Sequence, residues 1–115
     1  MANTFKVVTK AGVTSADVIY TVAGSTTTMV LGLVLGNTTS STITATVTLG
    51  SDTGNRAGAN NEANQDVEII TSAAIPGNSS LEIMGGNKIV METTDTLTVT
   101  GSAATDIALS IMEIT

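Results

Sequence analysis

Apolar and polar residues alternate in short runs along the chain, most clearly at residues 43–49 and 96–100. In both runs an aliphatic side chain is followed by a threonine, so that the pattern repeats every second residue. A period of two residues is typical of a β-strand that buries one face and exposes the other. We therefore predict two half-buried strands whose wet faces carry Thr44, Thr46, Thr48, Thr96, Thr98 and Thr100.

Runs with strand character recur roughly every eight to twelve residues, separated by clusters of Gly, Asn, Asp and Ser. This spacing predicts an all-β fold, an antiparallel β-sandwich or barrel-like sandwich of about eight or nine short strands. A short helical piece near residues 60–65 is the exception that the pattern leaves open. The predicted strands are residues 5–9, 17–22, 27–35, 43–49, 67–75, 80–83, 88–91, 96–100 and 107–114.

Two runs, residues 29–36 and 107–114, are apolar on much of both faces. Such strands belong in the middle of a sheet or against a neighbouring subunit. The glycines at 32 and 36 indicate a bulge or a close backbone approach in the first run.

Three connections have the composition of turns. Residues 75–78 predict a type I or type II turn, and Pro76 second with Gly77 third favours type II. Residues 85–87 predict a tight hairpin because glycine and asparagine tolerate positive φ. Residues 94–95 predict a further turn.

The length of 115 residues predicts one domain spanning residues 1–115. Its core must be aliphatic, because Phe5 and Tyr20 are the only aromatic residues. Residues 1–9 form a strand or a possible N-terminal arm. Residues 50–65 form a long polar loop, either free or ordered by a partner.

The net charge is −6, from ten acidic residues and four dispersed cations, Lys6, Lys10, Arg56 and Lys88. They cannot form the basic stripe that nucleic acids require, so we expect no nucleic-acid partner. The longest apolar run is far shorter than the roughly 20 residues that span a bilayer, so we expect no membrane contact. The absence of cysteine fits assembly in a reducing cytosol.

The chain contains 22 threonines but no histidine, cysteine or tryptophan. Histidine and cysteine are the usual bases, nucleophiles and metal ligands near neutral pH. We weighed calcium binding by Asp52, Asn55 and Glu62, but their spacing matches no EF-hand loop. Glycoside hydrolysis needs two carboxylates in a cleft that binds sugar, and a chain with two aromatic residues has little from which to form such a cleft. We therefore expect no enzyme, no cofactor and no metal; the carboxylates considered were Glu82, Glu92 and Glu113.

A resemblance covers most of the chain. It rests on residues 1–6, 30–39 and 107–115, together with turn and strand residues between 75 and 97. These segments are similar to those of small β-structured virion proteins of tailed bacteriophages, especially those infecting cyanobacteria and other marine hosts. Residues 50–65 do not take part in the likeness.

The resemblance implies a capsid decoration (cement) protein that binds the outside of the shell in many copies and stabilises it. It implies two partners, a homo-oligomer of the chain itself, expected to be a trimer, and the major capsid protein. The implied location is the surface of the phage particle, assembled in the host cytoplasm. Collar, tail sheath and fibre proteins of the same virion remain alternatives, as does a small ligand-binding module on a host-recognition fibre.

Three segments are predicted to form interfaces. The N-terminal segment could reach a neighbouring subunit, the polar loop could contact the shell, and the last strand could pack against another copy. The predicted interface residues are Phe5, Val7, Arg56, Asn60, Leu109, Ile111 and Met112.

Overall fold

The computed structural model describes residues 2–51, 65–84 and 87–115, and within these ranges the chain forms an all-β sandwich of two antiparallel sheets. No helix occurs there, so the predicted fold class is confirmed; the helical piece considered near residues 60–65 lies almost wholly outside the described residues. Each predicted strand overlaps an observed one. The strands are β1 Asn3–Val13, β2 Ala16–Thr21, β3 Thr27–Asn37, β4 Ile43–Gly50, β5 Asp66–Ile75, β6 Ser80–Glu82, β7 Ile89–Met91, β8 Thr96–Gly101 and β9 Thr105–Ile114.

The chain passes repeatedly between the two layers. Sheet I has the order β1-β9-β3-β6, with β7 also paired to β3, and sheet II has the order β2-β8-β4-β5. The two strands that are apolar on both faces, β3 and β9, pair with each other in the interior of sheet I. Their predicted central position is confirmed. Residues 3–9 are part of β1, which pairs with β9 in the same chain.

One edge of sheet I is formed by two short strands, β6 and β7, that lie end to end along β3. Strands β6 and β7 both pair with the same side of β3, where Leu81 lies opposite Leu35 and Ile89 lies opposite Val30. They do not pair with each other, so these two strands do not form a hairpin, although the Asn87 N–H donates to the Met84 carbonyl oxygen at 3.0 Å as in a tight turn. Six residues separate β6 from β7, whereas three residues of β3 separate their partners Val34 and Val30. Gly85 and Gly86 lie outside the described residues.

A bulge in β3 keeps its apolar residues directed at the core. The register with β9 shifts between Val30, opposite Ile111, and Gly32, opposite Ser110. Leu31 is therefore an extra residue, and it moves the buried positions from even to odd numbers along the strand. The bulge predicted from the glycine is confirmed.

The turn after β5 lies one residue later than predicted. The Ser79 N–H donates to the Pro76 carbonyl oxygen at 3.3 Å, so Pro76 is the first residue of the turn. Asn78 adopts the positive φ of 58° that was expected of Gly77. Gly77 is needed for space instead, because a Cβ there would collide with the Ser40 carbonyl oxygen.

The turn predicted at residues 94–95 is confirmed. The Asp95 N–H donates to the Glu92 carbonyl oxygen at 3.0 Å, and the Asp95 carboxylate accepts from the Glu92 N–H at 3.0 Å. Thr94 has a φ of 77°. The side chain of Asp95 thus fixes the connection into β8.

The core between the sheets is aliphatic, as predicted. Burying one such side chain stabilises the fold by about 1.5–3 kcal/mol. Phe5 is 72% exposed and does not contribute to this core. The largest fully buried apolar residues are Leu33, Leu35, Ile75, Met91, Leu97, Leu109, Ile111, Val30, Val47 and Val99.

Candidate interaction surface

The outer face of sheet II is rich in hydroxyl groups. In β4 and β8, threonines alternate with buried aliphatic residues, and Thr46 lies opposite Thr100 while Thr48 lies opposite Thr98. All six threonines predicted to be wet are half-buried or exposed. Their hydroxyls hydrogen-bond to water, so this threonine face is soluble with few charges.

The outer face of sheet I is different in character. Phe5 lies opposite Met112, Met112 opposite Met29, and Met29 opposite Val90, which places four apolar side chains in one row across four strands. Directly opposed residues of an antiparallel sheet share a face. Phe5 is 72% exposed and Val90 is 58% exposed. The row therefore presents apolar groups to solvent.

Further apolar residues extend this row along the strands. Val7 on β1 and Val34 on β3 are exposed, and Ala108 lies opposite Val34. Among the described strand residues, the charged groups on this face are Glu82 and Asp106, both at one end. We define the apolar face as Phe5, Val7, Met29, Val34, Val90, Ala108 and Met112.

The outer face of sheet I is large for a chain of this size. With its polar positions such as Thr9 and Ser110 included, four strands about 4.8 Å apart and about ten residues at 3.3 Å each give on the order of 600 Å². A stable interface buries about 800 Å² on each partner, whereas the largest apolar patch of a typical monomer is about 300–600 Å². The face therefore approaches the size of a protein–protein interface.

The structure divides the predicted interface residues. Phe5, Val7 and Met112 lie together on the apolar face. Leu109 and Ile111 lie in the core, with exposures of 0% and 1%, and cannot contact a partner of the folded sandwich. The assignment of these two residues to an interface is wrong, because alternate residues of β9 point inward between the sheets. The two loop candidates, Arg56 and Asn60, lie outside the described residues.

Sequence reasoning did not single out four members of the apolar face, Met29, Val34, Val90 and Ala108. Met29 and Val34 belong to a run that is apolar on both faces, so its own pattern does not say which residues point outward. Only the register with β9 and β7 places Met29 beside Met112 and Val90.

A polar network ties the two sheets together beneath the apolar row. The Tyr20 hydroxyl of β2 donates to Glu113 Oε2 of β9 at 2.6 Å and lies 2.7 Å from Thr28 Oγ1 of β3. Lys6 Nζ of β1 lies 2.6 Å from Glu113 Oε1. These contacts hold β1, which carries Phe5, against the rest of the sandwich.

The network changes the pKa of both acids in it. Burial, assisted by the hydrogen bond to Glu113, raises the pKa of Tyr20 to about 12. The hydrogen bonds from Lys6 and then from Tyr20 lower the pKa of the Glu113 carboxyl below its ordinary value of 4.5. At neutral pH the network therefore joins a neutral phenol, a carboxylate and an ammonium group.

Within residues 2–51, 65–84 and 87–115, no three His, Cys, Asp or Glu residues are grouped so as to hold a metal ion. No pocket is found in these ranges. None of their residues forms a helix long and apolar enough to cross a membrane.

Comparisons with known proteins give one fold-level likeness. No family model and no curated protein matches the chain. The chain is similar to a solved structure described by the words "Bacillus endospore appendages form a novel family of disulfide-linked pili". The two share 17% identity, 99% of this chain and 87% of that chain are covered, and the TM-score is 0.48. The fold defines a β-sandwich protein with one apolar and one hydroxyl-rich outer face; the likeness adds no argument about function.

Proposed function

We propose that the protein is a structural subunit that is built in many copies into a larger protein assembly. The observation that carries this proposal is the apolar row formed by Phe5, Met112, Met29 and Val90 on the outer face of sheet I. The subunit docks through this apolar face and turns the threonine face of sheet II toward solvent.

The opposite characters of the two faces support this orientation. Apolar area removed from water stabilises a complex by about 25 cal/mol per Å², before the costs of association. Covering the apolar face is therefore favourable, and covering the threonine face brings less benefit because its hydroxyls already bond to water. An assembly that buries sheet I and exposes sheet II satisfies both.

In its specific form, the proposal is a decoration protein on the capsid of a tailed bacteriophage. Its partner is the major capsid protein, and its location is the outside of the particle, which assembles in the host cytoplasm. The sequence resemblance supports this setting, and the net charge of −6 suits a protein kept apart from packaged DNA. Repetition over a shell lets weak single contacts act together through avidity.

A binding experiment with matched charge substitutions tests the proposal. Met112→Lys puts a charge into the apolar row on β9, and Thr98→Lys puts the same charge on the threonine face of β8. Both positions are half-buried and lie on inner strands. Capsid shells lacking the protein are mixed with each variant, sedimented, and the bound protein is quantified.

We expect the wild type and Thr98→Lys to bind alike, and Met112→Lys to lose at least about tenfold in affinity. Circular dichroism confirms that each variant is folded. Failure of the wild type to bind shells would reject the capsid setting. Equal binding by Met112→Lys and Thr98→Lys would reject the apolar face as the docking surface. A copy number in purified particles far below that of the capsid protein would point to the collar, tail or fibre instead.

A further inference from the structure

Strand β1 has one long edge to which no described strand is hydrogen-bonded. It spans Asn3–Val13 and lies at the end of sheet I, paired only with β9. The register with β9 is continuous from Asn3, opposite Ile114, to Lys10, opposite Ile107. A long regular edge of this kind is a template for another strand.

The other sheet edges are interrupted or irregular. Strand β2 has six residues and a register shift between Val18 and Tyr20. Strand β5 has two register shifts and a positive φ at Ser72. The remaining edge is divided into β6 and β7, with three residues each. Bulges, interruptions and short length all hinder strand addition. Strand β1 has a register shift as well, between Lys10 and Val13, but its stretch from Asn3 to Lys10 is the longest regular one among the described edges.

The hydrogen bonds at the start of β1 show which backbone groups face this free edge. Ala2 and Thr115 exchange both of their hydrogen bonds, with N···O distances of 3.1 and 3.0 Å. In an antiparallel pair, hydrogen-bonded and non-hydrogen-bonded residue pairs alternate. The N–H and C=O groups directed away from β9 are therefore those of Asn3, Phe5, Val7 and Thr9.

Two lysines on β1 would ordinarily discourage strand pairing. Each of them is already engaged by an acid of its own chain. Lys6 Nζ lies 2.6 Å from Glu113, and Lys10 Nζ lies 3.3 Å from Asp17. Their charges are partly compensated before any second strand arrives.

We propose that β1 of a second copy of this chain adds antiparallel to β1, about a two-fold axis at Val7. Val7 then faces Val7 of the second copy, and Phe5 faces Thr9. The outward backbone groups of these residues form about six hydrogen bonds. A register centred on Lys6 would place Lys6 opposite itself, and one centred on Val8 would place Lys6 opposite Lys10; the Val7 register avoids both.

The pairing joins two sheets I into one continuous sheet and deepens the proposed function, on which it rests. The outer faces of the two sheets I become one surface of on the order of 1,200 Å², polar positions included, and it carries both apolar faces. Two-fold addition of β1 to itself gives a dimer or a higher even-numbered oligomer. The trimer expected from the resemblance is incompatible with this pairing and is one of the outcomes that the test distinguishes.

A proline substitution at the centre of the edge tests the pairing. Val7→Pro removes an outward N–H while leaving the β1–β9 hydrogen bonds intact, since proline is tolerated at edge strands. Val7→Thr replaces one methyl group by a hydroxyl at nearly the same side-chain size, keeps the N–H, and serves as the control. Light scattering and sedimentation of the full chain should give a dimer for the wild type and Val7→Thr. For Val7→Pro we expect the dissociation constant to rise at least about tenfold.

Hydrogen exchange of the wild-type protein gives a second measurement that does not depend on a variant folding. In the dimer, the amides of Phe5, Val7 and Thr9 are protected, and their protection falls on dilution. In a monomer these amides face solvent and exchange rapidly.

Four results would overturn the pairing: a monomeric wild type, a trimer, a dimer unaffected by Val7→Pro, or unprotected edge amides. A monomer that still binds shells would reject the pairing and leave the proposed function standing. A dimer that binds no shell would do the reverse.

Discussion

Tyr20 and Glu113, 93 residues apart in the chain, are joined by a hydrogen bond of 2.6 Å that crosses from one sheet to the other. The tyrosine belongs to β2 of sheet II and the glutamate to β9 of sheet I. Most contacts between the layers are aliphatic and do not depend on orientation. This hydrogen bond does, so it helps to fix how the two sheets are oriented. Its strength depends on a neutral phenol and an ionised carboxylate, which makes it sensitive to pH at both extremes.

At alkaline pH we expect the phenol to titrate late. Tyr20 is the only tyrosine and the chain has no tryptophan, so tyrosinate absorbance reports this group alone. The midpoint should lie at about 12 in the folded protein, and near 10.0 in urea. Because the folded pKa is raised, the stability it contributes is complete below pH 10 and is lost as the pH rises toward 12. Glu113→Gln should lower the folded midpoint; an unchanged midpoint would contradict the assigned contact.

At acidic pH we expect Glu113 to contribute stability that is lost on protonation. The pKa of its carboxyl is lowered in the folded state, so the contribution is present above pH 4.5 and falls as the pH drops through the folded pKa. Glu113→Gln should cost roughly 1 kcal/mol at neutral pH and should flatten the acid decline. Urea unfolding across the acidic range measures both effects. Glu82→Gln on an exposed strand position is the matched control, and an equal loss from both variants would be inconsistent with the network.

Asn37 is expected to be the most sensitive polar residue among those described. It is 3% exposed, and its Nδ2 donates to the carbonyl oxygens of Ser41, Ile75 and Pro76 at 2.8, 2.9 and 3.1 Å. Its Oδ1 accepts from the backbone N–H and the hydroxyl of Thr39. Asn37→Ala leaves several of these groups without a partner and should cost about 3 kcal/mol or more in the free energy of unfolding.

The neighbouring Thr38 provides the control for Asn37, since it is exposed on the same loop. Thr38→Ala should change the free energy of unfolding by less than about 0.5 kcal/mol. Chemical denaturation of both variants measures the difference. Comparable effects at the two positions would show that Asn37 does not organise the loop.

Gly101 is expected to tolerate no side chain. A Cβ there would lie 2.5 Å from Thr105 Oγ1 and 2.7 Å from the Val13 carbonyl oxygen. Gly101→Ala should therefore cost roughly 1–3 kcal/mol, the usual range for overpacking. Gly24→Ala is the control, because nothing lies within 4 Å of a Cβ at that position. Thermal unfolding should separate the two variants, and equal melting temperatures would contradict the close approach at Gly101.

Much of the fold follows from local pattern, and the structure shows why. The alternation in β4 and β8 fixes both the strand type and the face that is wet, because a pleated strand has no other way to bury every second residue. The central position of β3 and β9 follows from their apolar character on both faces. These four inner strands, two in each sheet, could therefore be predicted without knowing their partners.

What the sequence could not predict depends on register. Phe5 was predicted as an interface residue of the N-terminal segment and Met112 as one of the last strand. Nothing in the local sequence indicates that they lie opposite each other. The same lack of information placed Leu109 at an interface, since a strand apolar on both faces does not reveal which face is the core. Residues 85–87 make a related point, because turn composition does not indicate whether the flanking strands pair with each other or, like β6 and β7, both pair with a third strand.

The location of β9 within sheet I has a consequence for how the protein is made. Strands β1 and β3 are not hydrogen-bonded to each other, and they are joined within sheet I only through residues 105–114 of β9. During synthesis these two strands emerge long before the segment that joins them. A fragment ending at Gly101 would retain every strand of sheet II yet lack the centre of sheet I. Folding of sheet I is therefore a late event, because it brings together residues from near the two ends of the chain. The entropy cost of closing so long a loop makes such an event slow.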